Sequence, residues 1–391
     1  MPPPTNSPSM GLAEEFRNYA AWAEGATPLY ARLARDTADD PALLDLAAGA
    51  PAGQPAPQLL LAAVHSLLLA SSEHPLAEHY PTCADGSTDE RRTAECSTTN
   101  DASTRGPATV DPFPTFREFC LERGDAIREI VGTRRVQTNA VGRSAVLLPA
   151  FEHVVHEARR ASGRGAASPR ARESGGEPLA LVEIGTSAGL NLYWDRFRYE
   201  YAGRGRYGDP GSPVRIESAV RGDADPPLPD PTPSVTSRLG IDRHPLDATD
   251  PDDRCWLRAL VPPDHAERHE RLAAALELVA EDPPALVAGD ALDVLPSVLD
   301  DAPANAALCV FSTLTLYQLG EAKIERLRDL LAAHSHERTV HWLSGDPSVD
   351  TDAPAYRHVV LSNGKATEIR LAAFEAYGRW IEWLASDAAI G

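Results

Sequence analysis

The stretch Leu179–Asp195, LALVEIGTSAGLNLYWD, decides how this chain folds. Its first six residues are apolar apart from Glu183 and read as a buried strand. A glycine-bounded bend follows, from Gly185 to Gly189, and two readings of it compete. GTSAG fits G-x-S-x-G, the sharp turn that presents a nucleophilic serine in α/β-hydrolases, which makes Ser187 the nucleophile. EIGTSAGLN also fits a loop that cradles a cofactor at the end of a parallel strand, which makes Ser187 part of the wall.

The surroundings favour the cradle. A hydrolase places its nucleophile after several earlier strands and an oxyanion loop such as H-G-G-G. Here the upstream residues read as helices, and H-G-G-G is absent. Partners for a triad are easy to nominate, Asp290 or Asp346 with His341 or His358. Such ease says little in a chain with 12 histidines and 57 acids. In the cradle reading, Gly185 turns the chain with no Cβ to obstruct a ligand, and Gly189 packs closely where a helix opens. Thr186, Ser187, Ala188 and Asn191 line the bend, and the first amides of that helix are free to meet a ligand. Glu183 sits two residues before Gly185, where a carboxylate suits a cationic amine rather than a pyrophosphate. That favours S-adenosylmethionine over a dinucleotide, whose loop is G-x-G-x-x-G.

Further strand ends extend the site. Asp242, in GIDRHPLD, is the expected partner of the ribose hydroxyls, although it lies 59 residues after Glu183, and Glu217 is its rival. Asp290 and Ala291, in AGDALD, are expected at the adenine. Each acid alone fits an ordinary helix cap equally well. Their order on successive strands carries the argument.

The rest of the chain divides in two. The first part is helical: Leu12, Phe16, Tyr19 and Ala23 recur at helical spacing, as do Leu60, Val64, Leu67 and Leu68. Pro149 marks a kink or break in the last helix of this part. From residue 179 strands alternate with helices, which implies a parallel sheet covered on both faces. A hairpin around Asn363-Gly364 adds an antiparallel edge, and AYGRWIEWLAS reads as a closing helix. The expected organisation is a helical domain over 1–160, with a disordered insertion at 83–111, a linker at 161–178 and a Rossmann-like domain over 179–391.

Composition excludes several classes. The formal net charge is −20, and only Lys323 and Lys365 among the 37 basic residues are lysines. No basic stripe is available to neutralise phosphates, so nucleic acid is not an expected partner. The acidic, lysine-poor balance resembles that of proteins from halophilic organisms. The five cysteines (Cys83, Cys96, Cys120, Cys255 and Cys309) show no C-x-x-C spacing, so neither a disulfide framework nor a metal site is expected. No membrane-length apolar run and no secretory signal are visible, and a cytoplasmic protein is expected.

With these residues in view, the chain resembles the family called domain of unknown function 2332. The resemblance rests on VQTNAVGR (136–143), LVEIGTSAGLNLYWDRFRYEY (181–201), GIDRHPLDATDPDDRCWLRALV (240–261), VAGDALDVLP (287–296) and AYGRWIEWL (376–384). It departs from the pattern at Ala140, Asp346, Tyr377 and Gly378. The resemblance implies a class I methyltransferase-like, doubly wound, mostly parallel sheet preceded by a helical domain. It supplies no substrate.

The expectation is S-adenosylmethionine-dependent methyl transfer to an unidentified acceptor, a small molecule rather than a macromolecule. Alternatives are hydrolysis at Ser187 and non-catalytic nucleotide binding. Substrate-side candidates are Gln137, Asn139 and Arg143 from the helical part, Trp194 and Tyr201 after the bend, and Ser312 and Tyr317 after the fourth sheet strand. Core packing competes for Trp194, Tyr201, Ser312 and Tyr317, and a helix N-cap with a surface arginine competes for the Gln137, Asn139 and Arg143 cluster.

Overall fold

The computed structural model describes residues 11–71, 73–84, 111–137, 140–161, 178–347 and 353–385. The expected insertion at 83–111 and linker at 161–178 fall almost wholly outside these residues, as does Asn139.

Contacts divide the chain into two units. The first comprises Pro2–Thr138 with Asp252–Glu270, and the second comprises Asn139–Pro251 with Arg271–Gly391. The division therefore falls earlier than the 161–178 segment, and residues 252–270 join the helical unit rather than the sheet.

In the helical unit, α1 (Leu12–Ala23), α2 (Pro28–Thr37), α3 (Pro41–Ala47), α4 (Ala56–Ala70), α5 (Pro81–Ala84), α6 (Phe113–Glu122) and α7 (Gly124–Thr133) follow one another. Three of them begin with Pro at the first position, where the missing N–H costs nothing. Helix α4 is buried on most of its circumference and forms the centre of the unit. Its His65 reaches α9 (Pro251–Ala259) through the Ala259 carbonyl, 3.1 Å away. Trp256 of α9 donates to the Arg135 carbonyl at 2.9 Å, and Arg134 pairs with Asp253. These bonds hold a segment distant in sequence within the helical unit.

The second unit is an α/β structure on one 11-stranded, mostly parallel sheet in the order β3-β2-β4-β11-β10-β9-β8-β7-β1-β5-β6. The strands are β1 (Leu179–Ile184), β2 (Arg198–Ala202), β3 (Gly205–Gly208), β4 (Arg215–Arg221), β5 (Val235–Asp242), β6 (Ala285–Ala288), β7 (Ala307–Thr313), β8 (Val340–Asp346), β9 (Ala355–Ser362), β10 (Lys365–Phe374) and β11 (Trp380–Trp383). Strands β6-β5-β1-β7-β8 are mutually parallel, and chain order reverses between β1 and β7. An antiparallel meander β8-β9-β10-β11 extends one side. The Asn363-Gly364 hairpin is present, with φ of 50° and 76° at its two turn residues.

Side chains alternate across the sheet. Val182, Ile184, Ile241, Leu308, Val310, Val340 and Trp342 point to one face. There they form a core with Leu292, Leu295 and Leu299 of α11 (Ala291–Asp300) and Leu327 and Leu331 of α12 (Glu321–His334). The opposite face carries α8 (Ser144–Ala161), whose Phe151 stacks on Trp194 at 4.6 Å and meets Phe311 edge-on at 5.2 Å. Helix α10 (Ala266–Glu281) buries Leu272, Leu276 and Val279.

Three local expectations need correction. The segment 376–384 is not a helix: Trp380–Trp383 forms β11, with burial alternating along it. W-I-E-W has the period-two pattern of a strand, and Gly378 at φ 81° turns the chain into it. No α-helix opens after Gly189; residues Leu190–Arg196 form a 3-10 stretch broken at Tyr193. Of the kink or break expected at Pro149, the break is absent, because α8 runs through it. Proline has no N–H for the carbonyl four residues back, and the Tyr201 hydroxyl donates to that carbonyl, on Ala145, at 2.7 Å.

Candidate functional site

The bend after β1 lies where strand order reverses, the place at which open α/β sheets bind ligands. Alternate residues are left-handed there: Gly185 (φ 75°), Ser187 (φ 53°) and Gly189 (φ 75°). The neighbouring exit from β7 adds Leu314 at φ 52°. Among the described residues the third non-glycine with positive φ, Asn363, is in the hairpin, where such a turn demands it. Two strained non-glycine residues thus flank the switch point, and backbone strain of this kind concentrates at functional sites.

The bend is fixed from below. Gly185 N–H donates to the Ile241 carbonyl at 2.8 Å, Gly189 N–H to the Thr186 carbonyl at 2.9 Å, and Ser187 N–H to Asp242 Oδ2 at 2.9 Å. The other carboxylate oxygen of Asp242 accepts from His244 N–H at 2.9 Å. The loop amides expected to be bare are therefore largely spent within the chain. A Cβ on Gly185 would sit 2.3 Å from Thr315 Cγ2, so this glycine makes room for the β7 exit loop rather than for a ligand. A Cβ on Gly189 would lie 2.7 Å from Pro284, which is the close packing expected there.

Glu183 points to the α8 face and is buried. Its Oε2 accepts from Thr186 Oγ1 at 2.7 Å, and its Oε1 faces Asn191 Nδ2 at 3.5 Å. Gly240 on β5 makes this possible, because a Cβ there would strike Thr186 at 2.4 Å. Burial pushes the Glu183 carboxyl up to about 8, against the pull of its two donors and of Arg143. Nearby, Ser187 Oγ and Asn191 Oδ1 are buried and have no hydrogen-bond partner.

Arg143 reaches the same end of the sheet. Its Nη1 donates to the Thr313 carbonyl at 3.1 Å and its Nε to the Ala376 carbonyl at 3.0 Å. Gly142 and Gly378 lie back to back: a Cβ on Gly378 would lie 1.8 Å from the Gly142 carbonyl oxygen. VGR and AYG are thus two sides of one clasp. At the end of β8, Asp346 accepts from Tyr317 N–H at 3.1 Å, and burial raises its carboxyl. Tyr317 itself is exposed.

Other nominated residues have different surroundings. Asp290 caps α11 by accepting from Leu292 N–H at 3.1 Å, and it pairs with Arg243 and Lys323; the Arg243 bond holds its carboxyl below the usual range. Ala291 is the first residue of that helix. Glu217 lies on β4, which five strands separate from β1, so Asp242 is the acid beside the bend. Trp194 and Tyr201 are core residues, the latter bonded to Ala145. Ser312 is fully buried with its hydroxyl unpartnered. Gln137 is half-buried in the helical unit. The triad nominated for a hydrolase does not assemble on Ser187: its hydroxyl has no hydrogen-bond partner, and His341 and His358 bond to each other at 3.1 Å.

Leu314, Thr315 and Gly240 are site residues that the sequence reading does not include. A glycine inside a strand signals close approach and would have pointed to Gly240. A leucine in the left-handed region has no sequence signature.

None of the described helices is long and apolar enough to cross a membrane. No curated protein and no solved structure matches the chain. A family model described as "Uncharacterized protein conserved in bacteria (DUF2332)" matches residues 13–383, nearly its whole length. The chain belongs to the DUF2332 family.

Proposed function

We propose that the protein is an S-adenosylmethionine-dependent methyltransferase acting on a small acceptor, with the ligand held at the bend after β1. The observation that carries this reading is the set of buried acceptors around the bend: Glu183, Asn191 Oδ1 and Ser187 Oγ, the last two without partners. Buried acceptors left unpaired are costly and call for a donor. An ammonium group brings three donors and a charge, which suits this set better than a phosphate. The parallel order β6-β5-β1-β7-β8 supports a methyltransferase-like sheet, with the acid Asp242 on the strand beside β1.

When bound, S-adenosylmethionine would supply a methyl group on cationic sulfur. The chain's own task is positioning. Glu183, Asn191 and Ser187 would take the amino-acid end, and Asp242, which anchors Ser187 from the strand beside β1, would face the ribose hydroxyls. Tyr317, exposed beside Asp346, is the side chain best placed to meet an acceptor. Asp290 is engaged as a helix cap, so the adenine would rest on the adjoining backbone.

The deciding experiment is calorimetry with S-adenosylmethionine on the wild type and Glu183→Ala. Binding by the wild type that weakens at least tenfold in the variant supports the reading, and absence of binding by the wild type removes it. Binding without turnover on any acceptor would favour a non-catalytic binding protein. The left-handed φ of Ser187 is the one feature that favours hydrolysis, and labelling of Ser187 by a fluorophosphonate would establish that alternative.

A further inference from the structure

A second polar group lies under α8, where the proposed site makes no use of it. His153 of α8, His341 of β8 and His358 of β9 are all buried. His341 Nδ1 and His358 Nε2 lie 3.1 Å apart, and the His153 ring meets His358 edge-on at 5.2 Å between centroids. His358 Nδ1 is buried with no partner. Whichever ring nitrogen carries the hydrogen, His358 Nδ1 stays unsatisfied, and the two rings share one hydrogen bond whose direction depends on their tautomers.

The surroundings are poor in counter-charge. Across the ladders, Cys309 of β7 stands opposite His341 and Ile369 of β10 opposite His358. From β11, Trp383 lies 6.2 Å from His153. On α8 itself, His156 and Arg160 repel a proton on His153, while Glu152 is taken up by His156 at 2.9 Å. Arg357, Arg370 and Glu368 alternate to the other face of β9 and β10. Burial holds His153 and His341 down to about 4, and it holds His358 well below the usual imidazole range. Among the described residues no third ligand closes on the pair to make a metal site; the one group that satisfies that geometry is Asp300, His334 and Glu337, at the ends of α11 and α12.

We propose that these three imidazoles form a proton-operated latch on α8: neutral, they seat the helix on β8 and β9, and one proton taken up by the cluster unseats it. Arg143 directly precedes the same helix, ten residues or about 15 Å along its axis from His153. Release of α8 therefore also loosens the Arg143 bonds to the Thr313 and Ala376 carbonyls. The proposal does not depend on which ligand the bend holds.

The test is hydrogen exchange followed by peptide, on the full-length chain at about pH 7.5 and about pH 5, corrected for intrinsic exchange rates. In the wild type, residues 144–161 should exchange at least roughly tenfold faster at the lower pH, while β5 and β6 keep their protection. His358→Phe, and separately His153→Gln, should each reduce that difference at least roughly threefold, because one of the three imidazoles that can take up the proton is gone; two variants guard against one failing to fold. Equal loss of protection in α8 and in β5–β6 would overturn the latch, and so would an unchanged pH response in both variants.

Discussion

Ser187 and Asp242, 55 residues apart, are joined by a bond from the Ser187 amide to Asp242 Oδ2 at 2.9 Å. It ties the bend after β1 to the end of β5 and holds Ser187 in the left-handed region. Asp242→Ala removes a charged acceptor from a partly buried amide. A loss of about 1.5–3 kcal/mol in urea unfolding is expected, with loss of S-adenosylmethionine binding by calorimetry. A variant as stable as the wild type would mean that the bend holds itself.

Glu183 makes a prediction in pH. Its carboxyl is raised from the usual 4.5 to about 8, so the folded protein retains a proton that the unfolded chain has released. Its stabilising contribution is full below about 4.5 and is lost as pH rises through about 8. Glu183→Gln, which stays neutral, should flatten that part of the stability profile, read by urea unfolding across the range. A cationic ligand works the other way, because it needs the ionised form. Its affinity should rise by roughly tenfold per pH unit on approaching pH 8, and this slope should vanish in Glu183→Gln.

Two glycines with nearly the same backbone should respond differently to alanine. Gly53 (φ 78°) has nothing within 4 Å of where a Cβ would stand, so Gly53→Ala should cost about 1 kcal/mol of backbone strain. Gly185 (φ 75°) would meet Thr315 at 2.3 Å, so Gly185→Ala should cost several kcal/mol more. Adding Thr315→Gly should recover the steric part only. Thermal unfolding of the three variants separates the two contributions.

How much of this was legible turns on local chemistry. The strand and bend of residues 179–189 are short-range patterns that stand where the sequence placed them, and the strand read at 238–242 is the latter part of β5 (Val235–Asp242). Asn363-Gly364 also stands where the sequence placed it, because its turn admits few other residues. The fate of the loop amides was not legible, because Ile241, Asp242 and Thr315 come from other strands. W-I-E-W was misread because four residues support either period, and only pairing with β4 and β10 decides between them. Tyr201 looked like a substrate-side residue, and its partner is a carbonyl that a proline 52 positions earlier left unpaired.

That pairing is testable by a double-mutant cycle. Tyr201→Phe strands the buried Ala145 carbonyl and should cost about 1–3 kcal/mol. In a Pro149→Ala background the helix supplies its own N–H, and the same change should cost measurably less. Equal costs in both backgrounds would show that the hydroxyl acts elsewhere.

The wing β3-β2-β4 joins the rest of the sheet through a single ladder, Ala219–Arg221 against Trp380–Glu382. Its strands leave the ribosome soon after β1, yet their place in the sheet exists only once residues 380–383 have been made. Until then β4 has an unpaired edge, the kind of surface that recruits stray strands from other chains. The wing should therefore dock late in folding, and expression of the chain should be most vulnerable to aggregation in the interval between the synthesis of β4 and that of β11.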